Sequence, residues 1–343
     1  MKAYKGFNHD MTCRGFQYEE GKTYEMEGDV ECCEKGFHAC EYPLDCFSYY
    51  APSQSVYREV EQDGELSRDG DDTKVASSKI TVGAKLDIAG LVKASFEYIK
   101  ERADKTKSNH SKAKREINSA TGDGSANSAT GYGSANSATG DRSANSATGD
   151  RSANSATGDR SANSATGDGS ANSATGNGSA NSATGYGSAN SATGYGSANS
   201  ATGNWSANSA TGDGSANSAT GDGSANSATG YGSANSATGY GSANSATGDR
   251  SANSATGYGS ANISTGMECK NEGMGQANIS VGWGVDNKCK GCIGSYLVLS
   301  EWGEWDGEKN PLLGAQMIFI DGEKYKADTF YMLKDGKFVE VAE

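Results

Sequence analysis

The chain has 343 residues, a formal net charge of −13, and 48 glycines against 3 prolines. So acidic a chain lacks the clustered Lys and Arg of a phosphate-binding footprint, which argues against direct nucleic-acid binding. No window approaches membrane-spanning length, and Met1–Gly6 has no basic segment leading into an apolar stretch, so neither a membrane span nor a secretory signal is expected and the protein reads as cytoplasmic. The eight cysteines lack the regular spacing of a disulfide framework, and reduced thiols are expected.

Residues 1–100 read as a small α+β domain. Strand-like segments at Lys2–Phe7, Gly15–Tyr18, Lys22–Glu25, Tyr57–Glu61 and Lys79–Leu86 alternate with glycine-containing turns. Pro43–Tyr50 begins at a proline and predicts a short helix. Asp87–Ile99 carries Ile88, Leu91, Val92, Phe96 and Ile99 at helical spacing, and both helices are expected to pack on the domain's own sheet.

Within this block, Lys5-Gly6-Phe7, Cys13-Arg14-Gly15-Phe16, Gly36 to Cys40, Pro43-Leu44-Asp45 and Tyr49-Tyr50 form a recognisable series. The series resembles prophage and gut-bacterial proteins of unknown function that join such a domain to a small-residue repeat array and a Trp-rich tail. That resemblance implies a bacterial host cell and no assigned chemistry. The order Tyr4-Lys5-Gly6, Gly36-Phe37-His38, Tyr49-Tyr50 also loosely resembles ADP-ribosyltransferases, although that family places a His or Arg where this chain has Lys5. On that resemblance His38 and Glu59 are the catalytic candidates, with Glu61 as a substitute for Glu59. His38 with Cys32, Cys33, Cys40 and Cys46 lacks the paired Cys-x2-Cys knuckles of structural zinc sites, and core packing is the expected role of these cysteines.

Residues 101–115 contain the chain's only basic run, Lys105, Lys107, Lys112, Lys114 and Arg115, and read as a linker or first capping segment. From Ser125 a nine-residue unit, Ser-Ala-Asn-Ser-Ala-Thr-Gly-x-x, restarts every nine positions through Ser260. Such self-similarity predicts a solenoid, here over 116–294, because a unit this small is stable only when stacked on its neighbours. Disorder is the competing expectation for so polar a composition; the strict period and the absence of proline oppose it. Nine residues are too short to close a coil around inward side chains, so two units per coil are expected, with residue i stacked on i+18. The geometry resembles the β-roll of calcium-binding toxins, but here the turn Asp alternates with Tyr, which a calcium ligand could not tolerate.

The degenerate units at the array's ends carry apolar residues at alternating positions when aligned on Ile117, Ile263, Ile279, Val281 and Ile293. That alternation predicts positions two, four and six inward, so Ala126, Ser128 and Thr130 face the core, while Asn127 and Ala129 face out. The same alignment puts Cys289 and Cys292 on alanine positions. It favours packing over a metal site formed with Cys269, and no metal or other cofactor is expected. Stacking at eighteen lines one edge with Tyr132, Tyr186, Trp205, Tyr240 and Tyr258, the candidate binding residues; the other edge carries Tyr195 and Tyr231 with Arg142, Arg160 and Arg250.

Residues 295–343 predict an antiparallel β cap, with strands at Ser295–Trp302, Gln316–Ile320, Thr329–Lys334 and Lys337–Val341 and tight turns at Asp321-Gly322 and Asp335-Gly336. The fold expected is mainly β: a β-solenoid between a small α+β domain and a β cap. The function expected is a non-enzymatic scaffold that displays its flanking domains and repeat turns to an unknown protein partner or small ligand, with homo-oligomerisation open. Two other readings stand beside it: an acidic decoy that sequesters a host protein or small ligand, and an NAD-dependent transferase in the N-terminal domain.

Overall fold

The computed structural model describes residues 1–68, 73–102, 108–112 and 114–342; Lys105 and Lys107 of the basic segment lie outside these. The chain is mainly β, a solenoid of about ten turns between a small N-terminal domain and a C-terminal antiparallel unit.

In the N-terminal domain β1 (Lys2–Asn8) is followed by a small hairpin of β2 (Thr12–Cys13) and β3 (Phe16–Gln17), then β4 (Thr23–Glu25) and β5 (Phe37–Cys40). A 3-10 turn over Pro43–Ser48 leads into the long hairpin of β6 (Ser55–Arg68) and β7 (Lys74–Leu86). Strand β6 pairs with both β1 and β7, β7 with β5, and β5 with β1 through Tyr4 and Cys40, so four strands close into a ring. Closure removes sheet edges and encloses Ala3, Phe7, Tyr18, Ala39, Val60, Ile80 and Val82.

Helix α1 (Ile88–Arg102) follows, then β8 (Ser108–Ser111) and twenty strands from β9 (Ile117–Thr121) to β28 (Lys288–Gly291). Even-numbered strands build one parallel sheet and odd-numbered strands the other. From β8 to β28 the parallel partners are eighteen positions apart, as Ala162 with Ala180 and Asn163 with Asn181; the last step, β27 to β29, is seventeen, Ile279 with Tyr296. Two units therefore make one coil, as the strand-length argument required.

The inside-out assignment is the reverse of the one the end units suggested. Positions one, three and five point inward: Ser125, Asn127 and Ala129 are at most 2% exposed, whereas Ala126, Ser128 and Thr130 face out. The interior is held by amide ladders. Asn181 Nδ2 donates to the Ser191 carbonyl on the facing strand (2.6 Å) and to Asn199 Oδ1 one coil on (3.0 Å). The inward serine hydroxyls reach glycine carbonyls of the preceding coil, as Ser197 Oγ to Gly176 O at 3.2 Å. Because each Asn spans the gap to the facing backbone, nothing bulkier fits inside, and the apolar replacements at the array's end lie on outward positions. Pairing shows the register slip in the alignment: Ile279 follows Ala261 at position two, Val281 follows Ile263 at position four, and Cys289 follows Asn271 in the asparagine column.

The turns explain the fixed glycine. Gly203 has φ 138, and a Cβ there would lie 2.4 Å from the Gly185 carbonyl oxygen of the coil below. The last turn position is instead left-handed at φ near 60, which accepts Gly, Arg142, Arg160 or Trp205.

Strand β29 (Tyr296–Trp302) is the last parallel strand of the odd sheet, not a separate element; β30 (Leu312–Phe319) then extends that sheet antiparallel. The β31 (Phe330–Lys334) and β32 (Lys337–Val341) hairpin, joined by Asp335-Gly336, extends the even sheet. Each sheet of the solenoid thus receives its own cap, and larger core residues enter where the coil opens: Leu297, Leu299, Ile318, Ile320, Tyr331 and Leu333.

Helix α1 packs on the solenoid rather than chiefly on its own sheet. Leu91, Val92 and Ile99 lie over the position-two alanines Ala144, Ala162, Ala180, Ala198 and Ala216 of the even sheet. Fifteen residues of helix span about 22 Å, close to the ~19 Å that separates the first and last of five strands. The docking is pinned by Arg160, whose Nε and Nη2 meet Asp45 Oδ1 and Oδ2 at 3.2 and 3.1 Å, and by the buried Tyr42 hydroxyl donating to Gly178 O.

Two outcomes are expected. Asn181→Ala removes the amide donor from the Ser191 carbonyl and from Asn199 Oδ1 and the acceptor from Asn163 Nδ2, and should lower stability by about 1–3 kcal/mol, whereas the outward Ser173→Ala should change little; denaturant unfolding and amide exchange measure both. Ala180→Arg, beneath α1, should release the N-terminal domain, seen as a larger radius of gyration in X-ray scattering, while Ala189→Arg on the odd sheet should leave it docked.

Candidate functional site

The motif series of the N-terminal block converges on one cavity of about 800 Å³. Gly6 lets the Tyr50 ring lie on β1, since a Cβ there would meet that side chain at 2.5 Å. Cys13 lies between Tyr50, whose hydroxyl donates to its Sγ (2.8 Å), and Lys5, whose Nζ donates to it at 3.4 Å and to His38 O at 2.8 Å. Phe16, Tyr18, Tyr24 and Phe37 form an edge-to-face cluster along one wall, with ring centroids 4.8–6.4 Å apart. Burial pushes the Tyr18 and Tyr50 hydroxyls well above the usual tyrosine range, so both stay protonated. Arg14, at φ 50 in the tight β2–β3 turn, and Lys74 complete the cationic lining.

His38 lines this cavity, but its Nε2 accepts the backbone N–H of Cys33 at 2.9 Å. That bond holds the turn before β5 and requires a ring unprotonated at Nε2. Burial first, then the charges of Lys5, Arg14 and Lys74, lowers its pKa. Glu59 lies elsewhere: it is outside the cavity lining and pairs with Lys2 at 2.9 Å on the outer side of β1 and β6. The structure does not bring His38 and Glu59 together. Cys33, Cys40 and Cys46 line the same cavity and Cys32 does not. Among the described residues, no three His, Cys, Asp or Glu side chains converge on a point that could hold a metal ion.

At the far end, Cys269 replaces the inward serine and donates to Gly248 O at 3.2 Å, and Cys289 takes the place of an inward asparagine. Burial pushes the Cys289 thiol up to about 12 and raises Cys269 and Cys292 as well, so all three are thiols at neutral pH.

Tyr132, Tyr186, Trp205, Tyr240 and Tyr258 are exposed on turns of the solenoid. Only Tyr240 and Tyr258 stack directly, at 5.5 Å; Trp205 lies over Gly223 of the next coil, and Arg151 approaches the Tyr132 ring at 5.8 Å. The acidic turn residues have a bonding role of their own. Asp168 Oδ1 accepts the N–H of Tyr186 and Asp222 Oδ1 that of Tyr240, both at 2.9 Å. This explains why Asp and Asn dominate a position that also admits Tyr.

The face of the odd sheet is bare. A furrow of about 990 Å³ runs along it from Ile117 to Ile263, lined by serines and by alanines at the same position as those that α1 covers on the even sheet. Beyond the furrow the face becomes bulkier and apolar at Ile279, Tyr296, Met317 and Phe319, all exposed.

Residues 1–94 match the model of a domain of unknown function, DUF7666. The match covers the whole four-stranded ring and ends inside α1, so the DUF7666 domain of this chain carries part of the element that docks on the solenoid. No curated protein and no solved structure gives a significant match. Among the described residues no helix is long and apolar enough to cross a membrane.

Sequence reasoning named His38 as a site candidate and placed Lys5, Cys13, Arg14 and Tyr50 in the motif series without assigning them a role; Tyr18 and Lys74 were not singled out. One signal was present: Ala3, Lys5 and Phe7 share a face of β1, which places a charge between two core positions.

The depressed His38 pKa has a definite consequence for stability. The unfolded chain takes up a proton near the ordinary 6.5 before the folded one does, so this contribution is complete above that pH and is lost as the pH falls toward the folded value. Thermal unfolding of the DUF7666 domain followed from pH 7 to pH 5 should show falling stability, and His38→Gln should flatten the dependence.

Proposed function

We propose that this protein is a non-enzymatic scaffold of phage or prophage origin, acting in the cytoplasm of a bacterial host, that fixes its DUF7666 domain along one face of a rigid solenoid and offers the twin face to an amphipathic helix of a partner protein. The observation that carries this reading is internal: two surfaces of identical repeat sequence lie back to back, and one of them holds helix α1. The partner helix is taken to resemble α1, which lays a stripe of Leu, Val, Ile and Phe across a row of alanines. The phage or prophage assignment rests on the resemblance of the motif series.

A fluorescent peptide with the α1 sequence tests the idea on the intact chain. Saturable binding is expected, abolished by Ala207→Arg in the open furrow and not reduced by Ala198→Arg beneath the native helix. Absence of saturable binding, or equal loss in both variants, would overturn the reading.

A further inference from the structure

Lys5 is a buried cation whose surroundings do not neutralise it. Its side chain is only 4% exposed, and its Nζ hydrogen-bonds to a carbonyl and a thiol while lying 5.3 Å from the Phe7 ring and 5.6 Å from that of Tyr18. Among the described residues no carboxylate lies within ion-pair distance of it. An ammonium withdrawn from water without a counter-ion is destabilising unless an anion reaches it, and two hydrogen bonds leave one of its three N–H groups for that anion. Arg14 and Lys74 line the same cavity; Lys74 is held by the Tyr49 hydroxyl at 3.3 Å and lies 4.6 Å from that ring. Of the two acidic residues at the cavity, Glu25 is paired with Lys79 at 3.6 Å and Glu34 is on the exposed surface.

The remaining lining is aromatic, and the two rings that open to solvent, Phe16 and Tyr49, are each nearly half exposed at the rim. Such rings accept a flat molecule by stacking or edge contact and need no rearrangement to do so. A cationic floor beneath an aromatic wall, in a protein whose net charge is strongly negative, selects its ligand by local contacts and not by long-range attraction.

We propose that the DUF7666 cavity is a binding site for a small molecule that joins a flat ring to an anionic group, a phosphate or a carboxylate, with the anion on Lys5 and Arg14 and the ring against Phe16, Tyr18 and Tyr49. This site is independent of the open furrow of the solenoid. Binding alone is proposed, with no covalent step.

Calorimetric titration of the full chain with phenyl phosphate, benzoate, inorganic phosphate and phenol tests the proposal. At least one of the two aromatic anions should bind about tenfold or more tightly than both phenol and inorganic phosphate; which of the two is tighter separates phosphate from carboxylate as the natural group. Lys5→Met, which removes the buried charge at similar volume, should abolish that binding while the melting temperature holds or rises. Arg14→Gln, at an exposed turn, should weaken it several-fold without touching the fold, and decides the matter if Lys5→Met fails to fold. Phenol binding as tightly as the anions, no saturation by about 10 mM of either aromatic anion, unchanged binding in a folded Lys5→Met, or unchanged binding in Arg14→Gln would each overturn the proposal.

Discussion

The distance across the solenoid governs the rest of the molecule. Two parallel sheets lie so close that an asparagine side chain on one reaches the backbone of the other, and that contact repeats in every coil of the array. A gap of this width admits Ser, Asn and Ala and excludes Leu or Phe, so stability comes from ladders of hydrogen-bonded amides, not from apolar bulk. Such a core fixes both the register, because each amide needs the one above it, and the composition, because no larger residue can enter. Where the coil widens into its cap, leucine, isoleucine and tyrosine replace the amides, and ordinary hydrophobic packing resumes.

That substitution of amide ladder for apolar core is also why the sequence told the coil size correctly and the interior wrongly. Eighteen-residue stacking follows from chain reach and from the two-turn unit, which are geometric. The inward face was sought where apolar residues enter the degenerate units, on the assumption that hydrophobic means buried. In this solenoid Ile117, Ile263 and Ile279 are outside, and the strictly repeated Asn was the true mark of the core. Strands β1 and β4, parts of β6 and β7, and helix α1 were legible from strand composition and helical spacing, whereas β5 over Phe37–Cys40, which closes the ring, was not; a helix's apolar stripe does not say what it will cover, and α1 covers alanines that only the folded array assembles. The cavity was half legible: its motif residues stood out in sequence, whereas Lys74, sixty and more residues beyond Lys5 and Cys13, joins them only through closure of the ring.

The two outward faces acquire different fates from one repeat. The DUF7666 domain meets one of these faces through an apolar stripe over alanines and through a turn residue, Arg160, paired with Asp45. The opposite face keeps its alanines uncovered and grades into an apolar surface at the cap. Small side chains here provide a smooth track with little entropy to lose on contact, which suits an incoming helix and leaves discrimination to the rims.

Alternation of successive units between two sheets makes the parity of the copy number matter more than its size. Loss or gain of two units changes the rod's length by a single layer and leaves both ends facing as before. Loss or gain of one unit instead turns everything downstream by half a revolution, bringing the bulky apolar surface of the cap round to the side where the helix lies. Recombination between repeats can therefore lengthen this protein gradually or swing its far end to the opposite side at a stroke, according to whether the change is even or odd.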